Sequence, residues 1–160
     1  MEVITLSEAE IDSELDAAIR KSLCRVFPDG VSTFSKTRAW HGSVSSWTHL
    51  IKDDDTVIAH LGVVDRCILV GDKPLQIAGI QGVIVLPEYR KKGLSDRLLT
   101  VAMDEAKRRG FDLGLLFCLP VLEKVYARCG WRILSHQNII RVDENGTEKP
   151  LPEKNIAMKY

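Results

Sequence analysis

The sequence has no excess of charge of either sign, with 22 Lys and Arg against 22 Asp and Glu. A dedicated binder of nucleic acid or of an anionic membrane carries a basic surplus, so neither partner is expected. No apolar run approaches the ~20 residues of a membrane span. The N-terminal stretch MEVITLSEAEIDSELD also lacks the basic start and apolar core of a secretion signal, and a cytoplasmic protein is expected. Cysteine is sparse: Cys24, Cys67, Cys118 and Cys129 are scattered with no CxxC pair. Neither a disulfide framework nor a tetrahedral zinc site follows from that spacing, and no metal is expected. The chain also lacks GxxxxGK[ST] and GxGxxG, the phosphate loops of two large nucleotide-binding classes.

What is present is the make-up of one globular domain over residues 1–160, 45% hydrophobic and 28% charged, without internal repeat or linker. Residues 2–6 read as a strand. Ser7 with Glu10 reads as a capping box opening a helix, whose apolar stripe Ile11, Leu15, Ala18, Ile19 and Leu23 runs to about Phe27. Residues 30–46 read as a surface loop, with a short helix, carrying Phe34 and Trp40. With Trp47, these aromatics either line an acceptor site or close the core. Strands are expected at 47–52, 57–70 and 75–86. The Asp53–Asp55 run between the first two reads as a solvated hairpin tip, with a metal or polyamine site as the alternative. A helix from Leu94 ends at Gly110, the apolar run 113–119 is a covered strand, and a shorter helix spans Val121–Cys129. Strands over Trp131–Val142 and Asn155–Lys159, around a DENG turn, complete an α/β domain with a mixed, mostly antiparallel central sheet flanked by helices. The strand–helix–strand unit over 75–119 implies a parallel pair with a right-handed crossover.

Chemistry concentrates in Arg90-Lys91-Lys92-Gly93-Leu94-Ser95, between a strand and the first turn of a helix. Helix-start amides point outward with the positive end of the dipole, three cations stand beside them, and Gly93 allows close approach. Such a place suits an anion, and a pyrophosphate fits it. An exposed basic turn with Gly93 used for packing is the alternative. The run QGVIVLPEYRKKGLSDRLLTVAMDEAKRRG resembles the acetyl-CoA-binding motif of the GNAT superfamily of N-acetyltransferases, R/Q-x-x-G-x-G/A after a strand. Farther on, LEKVYARCGW resembles that family's second signature, a tyrosine-bearing helix followed by Gly and an aromatic residue. Within the superfamily the chain is similar to aminoglycoside 2'-N-acetyltransferases, and somewhat to nodulation-type N-acyltransferases.

The resemblance implies the GNAT acyl-CoA N-acyltransferase fold and acetyl-CoA as cosubstrate. It places the pantetheine arm on the backbone of Val83, Ile84 and Val85, with Val83 and Val85 on one edge, and the pyrophosphate on Arg90 through Ser95. Ser95 stands where the family prefers Gly or Ala, and its hydroxyl could add a phosphate hydrogen bond. Tyr126 matches the tyrosine that protonates or hydrogen-bonds the departing thiolate. Gln81 stands where many relatives have a glutamate that accepts the amine's proton through water, and an amide is no base. It could hold that water while His60 or a substrate group takes the proton; His60 reads equally as a core histidine. Strand alternation would point Gln81 the same way as Val83 and Val85, and on that view Gln81→Glu should speed the reaction below pH ~8. Leu119 replaces an asparagine common in the family. The implied activity is transfer of an acetyl group from acetyl-CoA to a primary amine of a small molecule, an aminoglycoside or amino sugar among the candidates. A non-catalytic acyl-CoA-binding module and an enzyme using a longer acyl donor are the alternatives, and a homodimer is compatible with the sequence.

Overall fold

β-Branched and apolar residues dominate between Trp47 and Val85, and they build a meander. β1 (Ile4–Ser7), β2 (Trp47–Asp53), β3 (Thr56–Val70) and β4 (Lys73–Val85) pair antiparallel in that order. The computed structural model describes residues 1–135, 139–142, 145–152 and 154–160. It resolves into two units, Met1–Gly114 and Leu115–Tyr160. The Asp53–Asp55 run is the β2–β3 turn, with Asp54 in the left-handed region (φ +50°), which aspartate tolerates.

Ser7 and Glu10 do form a capping box, but it closes only the single turn Glu8–Glu10. Ile11 then returns to extended backbone, and α1 (Ser13–Val26) starts from a second cap, Asp12, whose carboxylate accepts the Leu15 N–H at 2.8 Å. The expected stripe is there. Ile19 and Leu23 pack with Leu50, Val57 and Ile84 of the sheet and with Phe34 of α2 (Val31–Phe34). The buried Ser22 hydroxyl ties α1 to Val57 O at 2.6 Å. Trp47 and Leu50 differ in parity on β2, so they project from opposite faces. Over the Trp47 face lies the end of α3 (Leu94–Arg108), where the Arg109 guanidinium sits 4.4 Å from the Trp47 ring centre.

One irregularity in β4 governs the site. Ala59 pairs Val85 and His60 pairs Ile84, yet Gly62 pairs Gln81, so Gly82 and Val83 together oppose Leu61. This is a β-bulge with glycine in the left-handed conformation (Gly82 φ +59°). The extra residue shifts the alternation. Gln81 shares the face of its partner Gly62, and hence of His60 and Ile84, the face that α1 covers, whereas Val85 shares that of Ala59. The expectation that Gln81 points with Val83 and Val85 is therefore corrected, because alternation does not survive a bulge.

Two histidines are buried in this unit. The Trp47 indole N–H donates to His49 Nε2 at 3.1 Å, so the His49 proton is on Nδ1 and donates to Thr5 Oγ1 at 2.9 Å. His60 Nδ1–H donates to the bulge carbonyl, Gly82 O, at 2.8 Å. Burial pushes both down to about 4, with the Arg109 charge adding to the effect on His49 and Arg38 to that on His60. Both are neutral when folded and ionise when unfolded below the ordinary value of 6.5. Stability is therefore expected to be level above pH ~7 and to fall as pH drops from ~6.5 toward ~4, a trend that thermal melts across this range would measure.

In the second unit, β9 (Ile156–Lys159) lies between β5 (Leu113–Cys118) and β6 (Arg132–Ile133), antiparallel to both. α4 (Glu123–Ala127) follows a single turn at Pro120–Leu122. The single strand expected over Trp131–Val142 is instead β6 and β7 (Ile140–Val142), with Leu134 and Ser135 outside any strand. β7 pairs with β8 (Glu148–Pro150), which the sequence did not signal. Asp143 and Glu144 of the expected DENG turn lie outside the described residues.

Candidate active site

β4 passes through Leu86 into a single turn, Pro87–Tyr89, and then the basic loop. Lys91 (φ +62°) and Gly93 (φ +71°) are both left-handed, and Gly93 is the N-cap of α3. A Cβ on Gly93 would meet nothing within 4 Å, so glycine serves the dihedral and an open approach rather than packing. Gly93 offers no side-chain cap to the first turn of α3. Neighbours brace the loop: Tyr89 O–H donates to Asp53 Oδ2 at 2.5 Å, Arg25 pairs with Glu88 at 3.0 Å, and Arg90 Nε–H donates to Val85 O at 3.2 Å. Lys92 Nζ stands 5.0 Å from the Tyr89 ring centre. The Ser95 hydroxyl donates to Asp96 Oδ1 at 3.1 Å and is thus engaged with its neighbour. A braced loop with left-handed residues, outward amides and three cations fits a pyrophosphate group. Replacing Gly93 by valine forces a β-branched residue to a left-handed φ and fills the open approach. CoA affinity is expected to drop about tenfold or more in calorimetry, and unchanged affinity in the folded variant would remove the loop from the site.

Leu86 N–H donates to Ile58 O at 2.9 Å, which points Leu86, and by alternation Ile84, toward β3. Val83 and Val85 thus turn their backbone groups to the other edge of β4, while the Ile84 side chain is buried in the α1 core. Nearby, the Gln81 amide is fixed. Its Nε2 donates to Ser43 O at 2.8 Å and to Ser45 Oγ at 3.0 Å. Ser43 O only accepts, so the amide nitrogen must face the 40–46 loop. That loop turns at left-handed His41 and Gly42 and carries Trp40, stacked on buried Phe34 at 5.1 Å and itself half-exposed. Trp47 and Phe34 close the core, and of the three aromatics only Trp40 shows a broad face.

Tyr126 belongs to the second unit, on α4, and is 8% exposed. Its ring meets Trp131 edge-on at 6.4 Å, and Trp131 meets Tyr160 at 5.7 Å. Burial, with the Cys118 thiol adding, pushes the Tyr126 phenol up to about 12. Leu119 is exposed at the start of the turn before α4. Among the described residues no cluster of His, Cys, Asp or Glu is arranged to hold a metal, and no helix is long and apolar enough to cross a membrane. Gly82, Ser43 and Ser45 were missed from sequence. Glycine inside a strand was the available sign of the bulge, whereas nothing in the sequence paired the two serines with Gln81.

A family model described as an acetyltransferase (GNAT) domain matches residues 6–134. An aminoglycoside 2'-N-acetyltransferase of Mycolicibacterium fortuitum is 24% identical over 119 residues, 74% of this chain. The chain spans about 60% of that curated relative's length. Among solved structures, Escherichia coli ElaA aligns with a TM-score of 0.69 at 17% identity, covering 99% of this chain and 97% of its own. An acyl-CoA N-acyltransferase from Pseudomonas aeruginosa gives 0.69 at 16%, covering 99% and 97%. An aminoglycoside 6'-N-acetyltransferase complexed with coenzyme A gives 0.66 at 16%, covering 98% and 96%. At these identities the structures show a shared fold.

Proposed function

Because the chain belongs to the GNAT acetyltransferase family, we propose that it transfers an acetyl group from acetyl-CoA to a primary amine of a small molecule, with an amino sugar or aminoglycoside as the first class to try. The observation that carries this reading is the braced Arg90–Ser95 loop, with left-handed Gly93 opening α3. The loop would hold the pyrophosphate, and the Val83 and Val85 backbone would pair with the pantetheine amides as another strand would. The donor supplies an activated thioester. Holding an amine against it makes a bimolecular attack effectively unimolecular, so modest acid–base assistance suffices. Tyr126 would donate to the departing sulfur, and Gln81 would hold the loop beside the acceptor in place. The names of the M. fortuitum and CoA-bound relatives favour an aminoglycoside-like acceptor. Thiol release from acetyl-CoA, with and without a panel of amino sugars and alkylamines, tests the reading. Amine-dependent release is expected, and CoA binding without turnover of any amine would make the chain a binding module instead.

A further inference from the structure

Attack by an amine releases a proton, and Gln81 cannot take it. On the reading of the chain as an acetyltransferase, the surroundings of Gln81 identify the group that can. Ser45, 5% exposed, accepts one Gln81 N–H, so its own hydroxyl proton can go to another acceptor. Room for that hydroxyl comes from Gly62, where a Cβ would meet Ser45 Oγ at 2.3 Å. Ser45 shares a cavity of about 120 Å³ with Glu8, Asp16 and Arg38, a space for a few waters or the tip of a substrate.

The cavity's two carboxylates are not equivalent. Asp16 has both oxygens held, Oδ2 by Arg20 Nε at 2.7 Å and Oδ1 by Arg38 Nε at 2.6 Å. Glu8 Oε1 accepts from Arg38 Nη2 at 2.7 Å, while its Oε2 is buried with no hydrogen-bond partner among the described residues. Thr48 Oγ1 and His60 Nε2 are buried and unpartnered too. Thr48 pairs with Gly62 and His60 is two residues along, so both lie on Gln81's face of the sheet. Glu8 Oε2 and His60 Nε2 can only accept, and buried acceptors without a donor are the setting for a group that brings protons in. His60 itself is 2% exposed and has no outlet through which to pass a proton on, whereas Glu8 reaches water.

We propose that Glu8 receives the proton lost by the acceptor amine, handed on through the Ser45 hydroxyl. As the amine nitrogen bonds to the acyl carbon, its N–H proton passes to Ser45 Oγ, the Ser45 proton passes to a water in the shared cavity, and that water gives a proton to Glu8 Oε2. The C–S electron pair leaves on sulfur. The Glu8 side chain is 42% exposed and returns the proton to water. The charges facing it are Arg38, Asp16 and Lys36 in the cavity, with Arg20 behind Asp16.

The experiment measures acetylation by the full chain, using acetyl-CoA and the best amine of the panel, for wild type, Glu8→Gln and Ser45→Ala from about pH 6 to 10. Both variants are expected to lose about 10²-fold in kcat near pH 7, to keep wild-type CoA affinity by calorimetry, and to recover as pH rises and hydroxide replaces the relay. Ser45→Ala leaves the Glu8–Arg38 pair intact, so it decides the matter if Glu8→Gln misfolds by circular dichroism. An active wild type whose variants keep full kcat, or lose the same factor at every pH, overturns the Glu8 assignment alone. A wild type that releases no thiol with any amine overturns the acetyltransferase reading, and the Glu8 assignment with it.

Discussion

Tyr126→Phe is expected to lower kcat about 10²–10⁴-fold while leaving CoA affinity unchanged. The substitution keeps the ring against Trp131 and removes only the phenolic O–H. The Tyr126 phenol, at about 12, stays protonated throughout the range in which an acetyltransferase works. A thiol titrates near ~8.5, so full transfer of the phenolic proton to a departing thiolate is uphill by roughly 3–4 pH units, or about 5 kcal/mol. On the proposed reading the tyrosine would therefore serve as a permanent hydrogen-bond donor to sulfur, with the thiolate taking its proton from water. A group that stays protonated gives a Tyr126→Phe deficit of the same size from about pH 6 to 10, and a deficit that changed over this range would mean that Tyr126 ionises within it. Calorimetric CoA binding in both forms separates this from a packing defect. A variant at full rate would show that sulfur leaves without this group.

The parts of this protein that were legible in its sequence are those fixed by neighbours along the chain. Asp53–Asp55 and Gly71–Asp72 each set a turn between apolar strands, and Arg90–Gly93 ahead of Leu94, Leu98 and Ala102 sets the strand–loop–helix of the proposed CoA site. Where two local signals compete, sequence gives no ranking. Ser7 and Asp12 are both good helix caps, and the structure uses both, one for a single turn and one for α1. What was illegible comes from residues distant along the chain. The Trp47–His49–Thr5 hydrogen-bond chain spans 44 positions, and the cavity beside Gln81 draws on residues 8, 16, 38 and 45. The C-terminal strands β6 to β8 are two or three residues long and mostly exposed, too short to show a period. Gly82 is the instructive case. One glycine in an otherwise regular strand reverses the facing of everything before it, so period-two alternation gives the wrong direction for Gln81.

That reversal changes what Gln81→Glu should do. A carboxylate at this position in relatives invites the view that glutamate would restore a lost base and speed the reaction below pH ~8. The geometry argues the opposite. Gln81 Nε2 lies 2.8 Å from the Ser43 carbonyl oxygen and 3.0 Å from Ser45 Oγ, and it serves as donor to both. A carboxylate there sets oxygen against oxygen at Ser43, a lost hydrogen bond plus a repulsion that together cost about 1–3 kcal/mol. The Ser45 hydroxyl can rotate to donate to the new carboxylate, but then it no longer serves Glu8. Both effects grow with ionisation. Below the variant's carboxyl pKa, which the Ser43 carbonyl raises, the acid form can still donate one hydrogen bond; above it, none remains. Gln81→Glu is thus expected to lower kcat/KM at least about tenfold, with the deficit deepening from about pH 5 to 8. Gln81→Ala removes the amide without adding charge and should show a smaller loss that does not depend on pH. One pH–rate series on the three proteins decides it, with CoA affinity as the control for folding. A glutamate variant faster than wild type below pH ~8 would mean that the amide is a missing base and that the 40–46 loop holds its place without it.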